Sequence, residues 1–248
     1  MKRNWILVSL LVIAAGCASH KHATHQGAEI SSGPMSGRQT GAATSSTMPR
    51  TVPVVPVDPE RYYAASAALK RDMRKLWTDH VVWTREYIVA ALEDHPSATA
   101  AANRLMRNQE DIGNAIAKYY GEPAGQRLTA LLKEHISIAT DVVKAAKADD
   151  KAALQEADNR WQQNALQISD FLSEANPYWS RTTLSQMMRM HLSTTTDEVT
   201  ARLNNDWEAD VRAFDKVYDH ILKMSDALSE GIMKQFPERF GKPHITPT

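Results

Sequence analysis

The sequence predicts an all-α domain, a six-helix bundle made of three tandem antiparallel helical hairpins. Apolar residues recur every three or four positions along most of the chain after residue 58, whereas alternation with period two is almost absent. In addition, His80, His135 and His191 stand 55 and 56 residues apart, each at the centre of an apolar helical stripe. A repeat of about 56 residues accommodates two helices and a turn, so each repeat is one hairpin.

The first hairpin is bounded by residues that start and stop helices. Asp58 suits an N-cap and Pro59 the first helical position, while Pro96 interrupts the helical pattern. A second, alanine-rich helix follows and ends before Gly121, and Gly113 inside it indicates a close helix contact. The first two helices therefore cover about 59–93 and 98–120.

The other two hairpins have similar signals. Pro123 opens the third helix, Asp149 or Asp150 caps the fourth, Pro177 follows its end, and Ser180 precedes the fifth. The four later helices are expected at about 123–148, 151–175, 181–203 and 207–234.

Each hairpin carries matched polar residues in the apolar stripes of its two helices. In antiparallel helices, residues at one level have numbers with a nearly constant sum, and the polar residues obey this rule. All six are therefore expected in one layer. The pairs are His80 with Asn108, His135 with Asn164, and His191 with His220.

The same register rule predicts an acid-base pair one to two turns nearer each hairpin loop. Such pairs contribute about 0.2–1 kcal/mol when they are exposed. The predicted pairs are Glu86 with Arg104, Asp141 with Arg160, and Asp197 with Lys216.

Four imidazoles in one layer are compatible with a metal site, because helical bundles bind metals through ligands at one height. Glu198 follows His191 by two turns in the same stripe and could supply an oxygen ligand. The methionines near His191 and His220 favour copper over zinc. These methionines are Met187, Met188, Met190 and Met224.

The alternative is a structural layer, in which buried polar pairs satisfy their own hydrogen bonds and fix the register of the helices. The sequence favours this interpretation. It also favours a protein that is not an enzyme, because it contains no G-x-S-x-G, no P-loop and no Glu-x-x-His pair on two helices. With zero formal net charge, nucleic acid is not an expected partner, and any protein partner or small ligand is not identified.

The N-terminal residues predict that the protein is located in the cell envelope. Lys2 and Arg3 precede a short apolar run that ends in Ala-Ala-Gly-Cys, which resembles a bacterial lipobox and implies cleavage before a lipidated Cys17. Because Ala18 follows, analogy with enteric sorting indicates a periplasm-facing lipoprotein of the outer membrane. The alternative is an ordinary secretory peptide with a stray cysteine.

Four segments follow from this interpretation. The tether is rich in Ser, Thr, Gly and Pro and is expected to be disordered, and its His20, His22 and His25 could also bind a metal ion. The segments are a signal peptide (1–16), a tether (17–57), a helical domain (58–236) and a C-terminal tail (237–248).

Five runs also resemble an uncharacterised bacterial family of small secreted or envelope helical proteins, over about residues 69–240. The resemblance implies a helical shape and an envelope location. Some members are labelled glycosyltransferase, but this sequence has no βαβ pattern and no Asp-x-Asp motif at a strand end, so a transferase is the remote alternative. The runs are LWTDHVVWTREYIVAAL, RNQEDIGNAI, LLKEHISIATDVV, SEANPYW and KQFPERF.

Overall fold

The computed structural model describes residues 59–241 and confirms the all-α six-helix bundle; none of these residues forms a β-strand. The predicted signal peptide, Cys17, the tether and residues 242–248 lie outside the described residues. No helix in the described part is both long and apolar enough to cross a membrane. The helices are α1 (Pro59–Leu92), α2 (Ala98–Tyr120), α3 (Glu122–Lys147), α4 (Lys151–Ala175), α5 (Arg181–Leu203) and α6 (Trp207–Gln235).

The six helices form a closed ring in chain order. Each helix packs against the next one, and α6 returns to pack against α1. The first helices of the hairpins, α1, α3 and α5, also contact one another, so they form the centre of the bundle. Each of α2, α4 and α6 packs against two of these central helices. The arrangement is therefore pseudo-threefold, with one hairpin as the repeating unit.

The three loops inside the hairpins share one backbone conformation. Each contains a non-glycine residue in the left-handed region, namely Asp94, Asp149 and Asn205, with φ of 55°, 55° and 56°. In each loop, the next backbone N–H donates to the carbonyl of an alanine five residues earlier, which is the hydrogen bond of a Schellman motif. These bonds are His95 to Ala90 (2.8 Å), Asp150 to Ala145 (3.0 Å) and Asp206 to Ala201 (3.0 Å).

Helices α2 and α3 approach so closely that their backbones touch. They are joined by Gly121 alone, whose φ of 85° favours glycine. A Cβ atom on Gly113 would lie 2.7 Å from the carbonyl oxygen of Gly125, and one on Gly125 would lie 2.6 Å from that of Gly113. The close contact expected at Gly113 is confirmed, and it joins two different hairpins.

The folded domain extends beyond residue 236, where the sequence placed the start of the tail. Residues Pro237–Phe240 form a 3-10 turn, and Phe240 is only 2% exposed. Its ring stacks on Tyr119 with centroids 6.2 Å apart. The predicted boundary is too early, because Pro237 opens this turn instead of ending the folded structure.

Candidate functional site

Three buried histidines meet where the central helices pack together. His80 of α1, His135 of α3 and His191 of α5 are 2%, 2% and 4% exposed. The ring centroids of His80 and His191 are 5.8 Å apart, and those of His135 and His191 are 6.1 Å apart. The repeat therefore brings one imidazole from each hairpin into a single buried layer.

The polar residues of the outer helices repeat one hydrogen bond in all three hairpins. In each case, a side-chain nitrogen donates to the backbone carbonyl four residues before the hairpin's histidine. This shared geometry is independent support for the register deduced from residue numbers. The bonds are Asn108 Nδ2 to Leu76 O (3.0 Å), Asn164 Nδ2 to Leu131 O (3.1 Å) and His220 Nε2 to Met187 O (2.8 Å).

His135 is paired through both ring nitrogens. Trp161 Nε1 donates to His135 Nε2 over 3.0 Å, so this nitrogen carries no proton. The proton of the neutral ring therefore lies on Nδ1, which donates to Asn164 Oδ1 over 2.7 Å. Burial lowers the pKa of His135 to about 4, in agreement with a neutral ring. The predicted pair is thus a network of three residues.

His80 interacts with Gln109 as well as with the expected Asn108. Its Nδ1 lies 3.3 Å from Nε2 of Gln109, whereas the amide nitrogen of Asn108 donates to the α1 backbone. Both side chains are buried because α2 packs between α1 and α3, so two adjacent positions face inward. Burial, followed by the repulsion that a protonated His135 would exert, lowers the pKa of His80 to about 4.

His191 lacks the hydrogen bonds that the other two histidines have. Its Nδ1 is buried and has no partner. His220, the expected partner, donates instead to the carbonyl of Met187. Burial lowers the pKa of His191 well below its usual value, and the nearby His80 and His135 add to this effect. His191 is therefore a neutral imidazole with unused hydrogen-bonding or ligating capacity.

A small cavity lies against this layer. Its volume is about 20 Å³, and leucine and isoleucine side chains form much of its wall. The indole N–H of Trp77 at the cavity has no hydrogen-bond partner either. A space of this size holds one water molecule or one ion. The other residues that line it include His80, His135, His191, Met188 and Met224.

Glu198 belongs to an ion-pair cluster that the sequence did not predict. Its Oε1 accepts from Arg85 Nη1 over 2.6 Å, and Arg85 also forms two hydrogen bonds of 2.9 Å with Asp210. Arg202 donates to Asp210 over 3.1 Å. The expected role of Glu198 as an oxygen ligand beside His191 is corrected, because its carboxylate binds Arg85.

The two buried carboxylates of this cluster differ in pKa. Burial raises the pKa of Glu198 to about 7, although Arg85 opposes the shift. Burial acts in the same direction on Asp210, but hydrogen bonds and charge from Arg85 and Arg202 outweigh it and lower that pKa. Asp210 therefore interacts more strongly than Glu198 with the guanidinium groups of Arg85 and Arg202.

The predicted acid-base pairs have three different outcomes. Asp141 and Arg160 form an ion pair of 3.1 Å. Arg104 contacts Asp79 and Asp111, at 3.4 and 3.6 Å, instead of Glu86. The third predicted pair, Asp197 with Lys216, forms no ion pair in the described part of the chain. The register of two helices fixes the height of a residue along the bundle. A long, flexible side chain such as that of Arg104 can nevertheless reach any of several carboxylates near that height.

Within residues 59–241, no group of three or more His, Cys, Asp or Glu side chains is arranged to hold a metal ion. His135 in particular has both nitrogens engaged. No family model, curated protein or solved structure matches the chain. The resemblance to a family of envelope helical proteins stays a prediction.

Proposed function

We propose that the protein is an outer-membrane lipoprotein whose helical bundle faces the periplasm as a non-catalytic structural or interaction module. The lipobox-like Ala-Ala-Gly-Cys and the long polar segment that follows support a lipid anchor and a tether. An N-terminal lipid attached to Cys17 would hold the domain near the membrane without a transmembrane helix.

The paired state of His135 carries the structural part of this proposal. Trp161 and Asn164 occupy its two nitrogens, so this imidazole is available neither as a general base nor as a ligand. The same hydrogen bond to a backbone carbonyl recurs in all three hairpins, which supports a layer that sets the register of each hairpin. A module of this kind needs a stable shape rather than a reaction centre.

Fractionation of the envelope tests the location. Cys17→Ser removes the site of lipidation, and the protein should then leave the membrane fraction; globomycin should make the unprocessed wild-type form accumulate. Ala18→Asp is a matched control, since it keeps the lipid and is expected to move the protein to the inner membrane. Unchanged membrane association of Cys17→Ser would contradict the anchor.

A zinc titration tests the structural interpretation of the layer. A bound ion stabilises a fold by about 2.7 kcal/mol at a hundredfold excess over Kd, which is readily seen as a rise in Tm. We expect Zn²⁺ to leave the Tm unchanged in protein whose His20, His22 and His25 are replaced by alanine. A Zn²⁺-dependent rise that is lost in His135→Leu would contradict the proposal.

A further inference from the structure

We propose that His80 and His191, together with the thioethers of Met188 and Met224, bind one Cu(I) ion in the cavity at the centre of the bundle. These four side chains come from α1, α5 and α6 and line the same cavity. His135 also lines this cavity, but both of its ring nitrogens are engaged, so it is not one of the proposed ligands, and the site does not depend on its proposed structural role.

His191 is the residue that most clearly lacks a partner. The ring is 4% exposed, and its Nδ1 makes no hydrogen bond with any described residue. Leaving a buried polar atom unpaired costs about 1–3 kcal/mol. Among the three layer histidines, His135 has two hydrogen bonds and His80 has one through Nδ1. His191 therefore has the most to gain from a ligand.

His80 can supply the second imidazole nitrogen. Its ring centroid is 5.8 Å from that of His191, and its Nδ1 faces Gln109. Ligation through Nε2 places the ring proton on Nδ1, next to the Gln109 amide. The Oε1 atom of this amide is buried without a partner, so a turn of the amide provides an acceptor for that proton. The proton stays on the imidazole and only changes nitrogen.

The chemistry of the donor set points to Cu(I) rather than to a divalent ion. Met188 and Met224 present soft thioether sulfur, which selects Cu(I). No carboxylate or thiolate lines the cavity, so a divalent cation would keep its full charge in an apolar environment, at high cost. Burial also keeps the imidazoles neutral, as ligation requires.

The size and enclosure of the cavity limit the occupant. A volume of about 20 Å³ accepts a single atom or a water molecule but no organic ligand. Leu132, Ile168 and Leu228 form part of its wall, which would shield a bound Cu(I) ion from solvent. The arrangement is suited to sequestering the ion.

Anaerobic Cu(I) titration of the full-length protein tests the site, with a coloured Cu(I) chelator as competitor and with His20, His22 and His25 replaced by alanine. We expect one Cu(I) per chain. His191→Leu should weaken binding by roughly 10- to 100-fold or more, because losing even an outer-shell partner of a metal typically has that effect. His95→Leu, at an exposed position that does not line the cavity, is the matched control, and its Cu(I) affinity should match that of the parent protein.

X-ray absorption at the copper edge separates ligation from a merely structural effect. The parent protein should show sulfur scattering, and Met188→Leu with Met224→Leu should remove it while the helical circular dichroism is retained, since this exchange conserves side-chain volume. Cu(I) that is not retained against the chelator, or a crystal structure with only a water molecule between His80 and His191 after Cu(I) loading, would overturn the proposal. Unchanged affinity in His191→Leu would do the same.

Discussion

Trp161 donates its indole N–H to Nε2 of His135 over 3.0 Å, and this bond determines which nitrogen of the buried imidazole carries the proton. Because Nε2 accepts, Nδ1 donates to Asn164. The carbonyl of Leu131 then accepts from the same asparagine over 3.1 Å. A chain of three hydrogen bonds thus joins two side chains of α4 to α3.

Removing the indole donor tests this assignment. Trp161→Phe leaves His135 Nε2 buried without a partner, so the free energy of unfolding should fall by about 1–3 kcal/mol. Nitrogen-15 NMR of the wild-type histidines should show His135 as a neutral ring protonated on Nδ1 at pH 7. A ring protonated on Nε2 would refute the direction of the Trp161 bond.

Acidification should destabilise the fold through the layer. His80 and His135 have pKa values of about 4 in the folded protein, below the usual 6.5. The unfolded chain therefore binds more protons than the folded protein between pH 6.5 and 4. The stability that comes from keeping these rings neutral is fully present above pH 6.5 and is lost as the pH falls toward 4. Each histidine lowers the free energy of unfolding by on the order of 3 kcal/mol over this window. Denaturant unfolding at several pH values measures the slope.

Glu198 should have the opposite effect on the pH dependence of stability. Its pKa of about 7 in the fold lies above the usual 4.5, so its contribution is present below pH 4.5 and is lost as the pH rises toward 7. It therefore offsets part of the histidine effect between these values. Glu198→Gln should steepen the loss of stability between pH 6.5 and 4.5. An unaltered slope in this variant would argue against the raised pKa.

The contact of α2 with α3 should tolerate no side chain. Gly113→Ala places a Cβ 2.7 Å from the backbone oxygen of Gly125, and we expect a loss of about 1–3 kcal/mol despite the better helix propensity of alanine. Asn114→Ala, at the adjacent exposed position of α2, is the control and should be neutral or slightly stabilising. Equal melting temperatures for the two variants would show that the helices can move apart.

The loop between α5 and α6 offers a comparison of two neighbouring asparagines. Asn205 has a φ of 56°, so Asn205→Gly should raise the free energy of unfolding by a few tenths of a kcal/mol to about 1 kcal/mol. Asn204 has a φ of −83°, where glycine only adds freedom to the unfolded chain. Asn204→Gly should therefore destabilise by about 0.5–1 kcal/mol. Thermal or chemical unfolding should give opposite signs for the two changes.

The helices and their pairing into hairpins could be predicted because both depend on local signals. Caps such as Asp150 and Ser180 hydrogen-bond the first turns of α4 and α5 as expected. The closure of the ring could not be predicted, since the contact of α6 with α1 joins distant parts of the chain. The helical periodicity of apolar residues indicates that one face of a helix is buried, but it does not indicate which other helix packs against that face.

The level of the polar layer and the pairing of His135 with Asn164 were likewise predictable, whereas the other hydrogen-bond partners in the layer were not. Residue numbers place His80 opposite the region of Asn108, but the neighbouring Gln109 approaches its ring. Helical periodicity identifies Trp161 only as a buried apolar side chain and does not reveal that its indole N–H donates to His135. Glu198 contacts Arg85 of another hairpin, which a rule within one hairpin cannot find.

A double-mutant cycle shows whether His135 and Asn164 form a satisfied structural pair. His135→Leu orphans Asn164 Oδ1 and the indole of Trp161, while Asn164→Leu orphans His135 Nδ1, so each should destabilise by about 1–3 kcal/mol or more. The double variant removes both members of the pair, and Trp161→Phe added to it removes the last orphaned donor.

Equilibrium unfolding of the wild type, both single variants and the double variant gives the coupling energy. The double variant should lose less free energy of unfolding than the two single variants together, by about 0.5–3 kcal/mol, and the triple variant should recover further stability. Strictly additive effects, with no recovery in the double or triple variant, would contradict a self-satisfied polar layer.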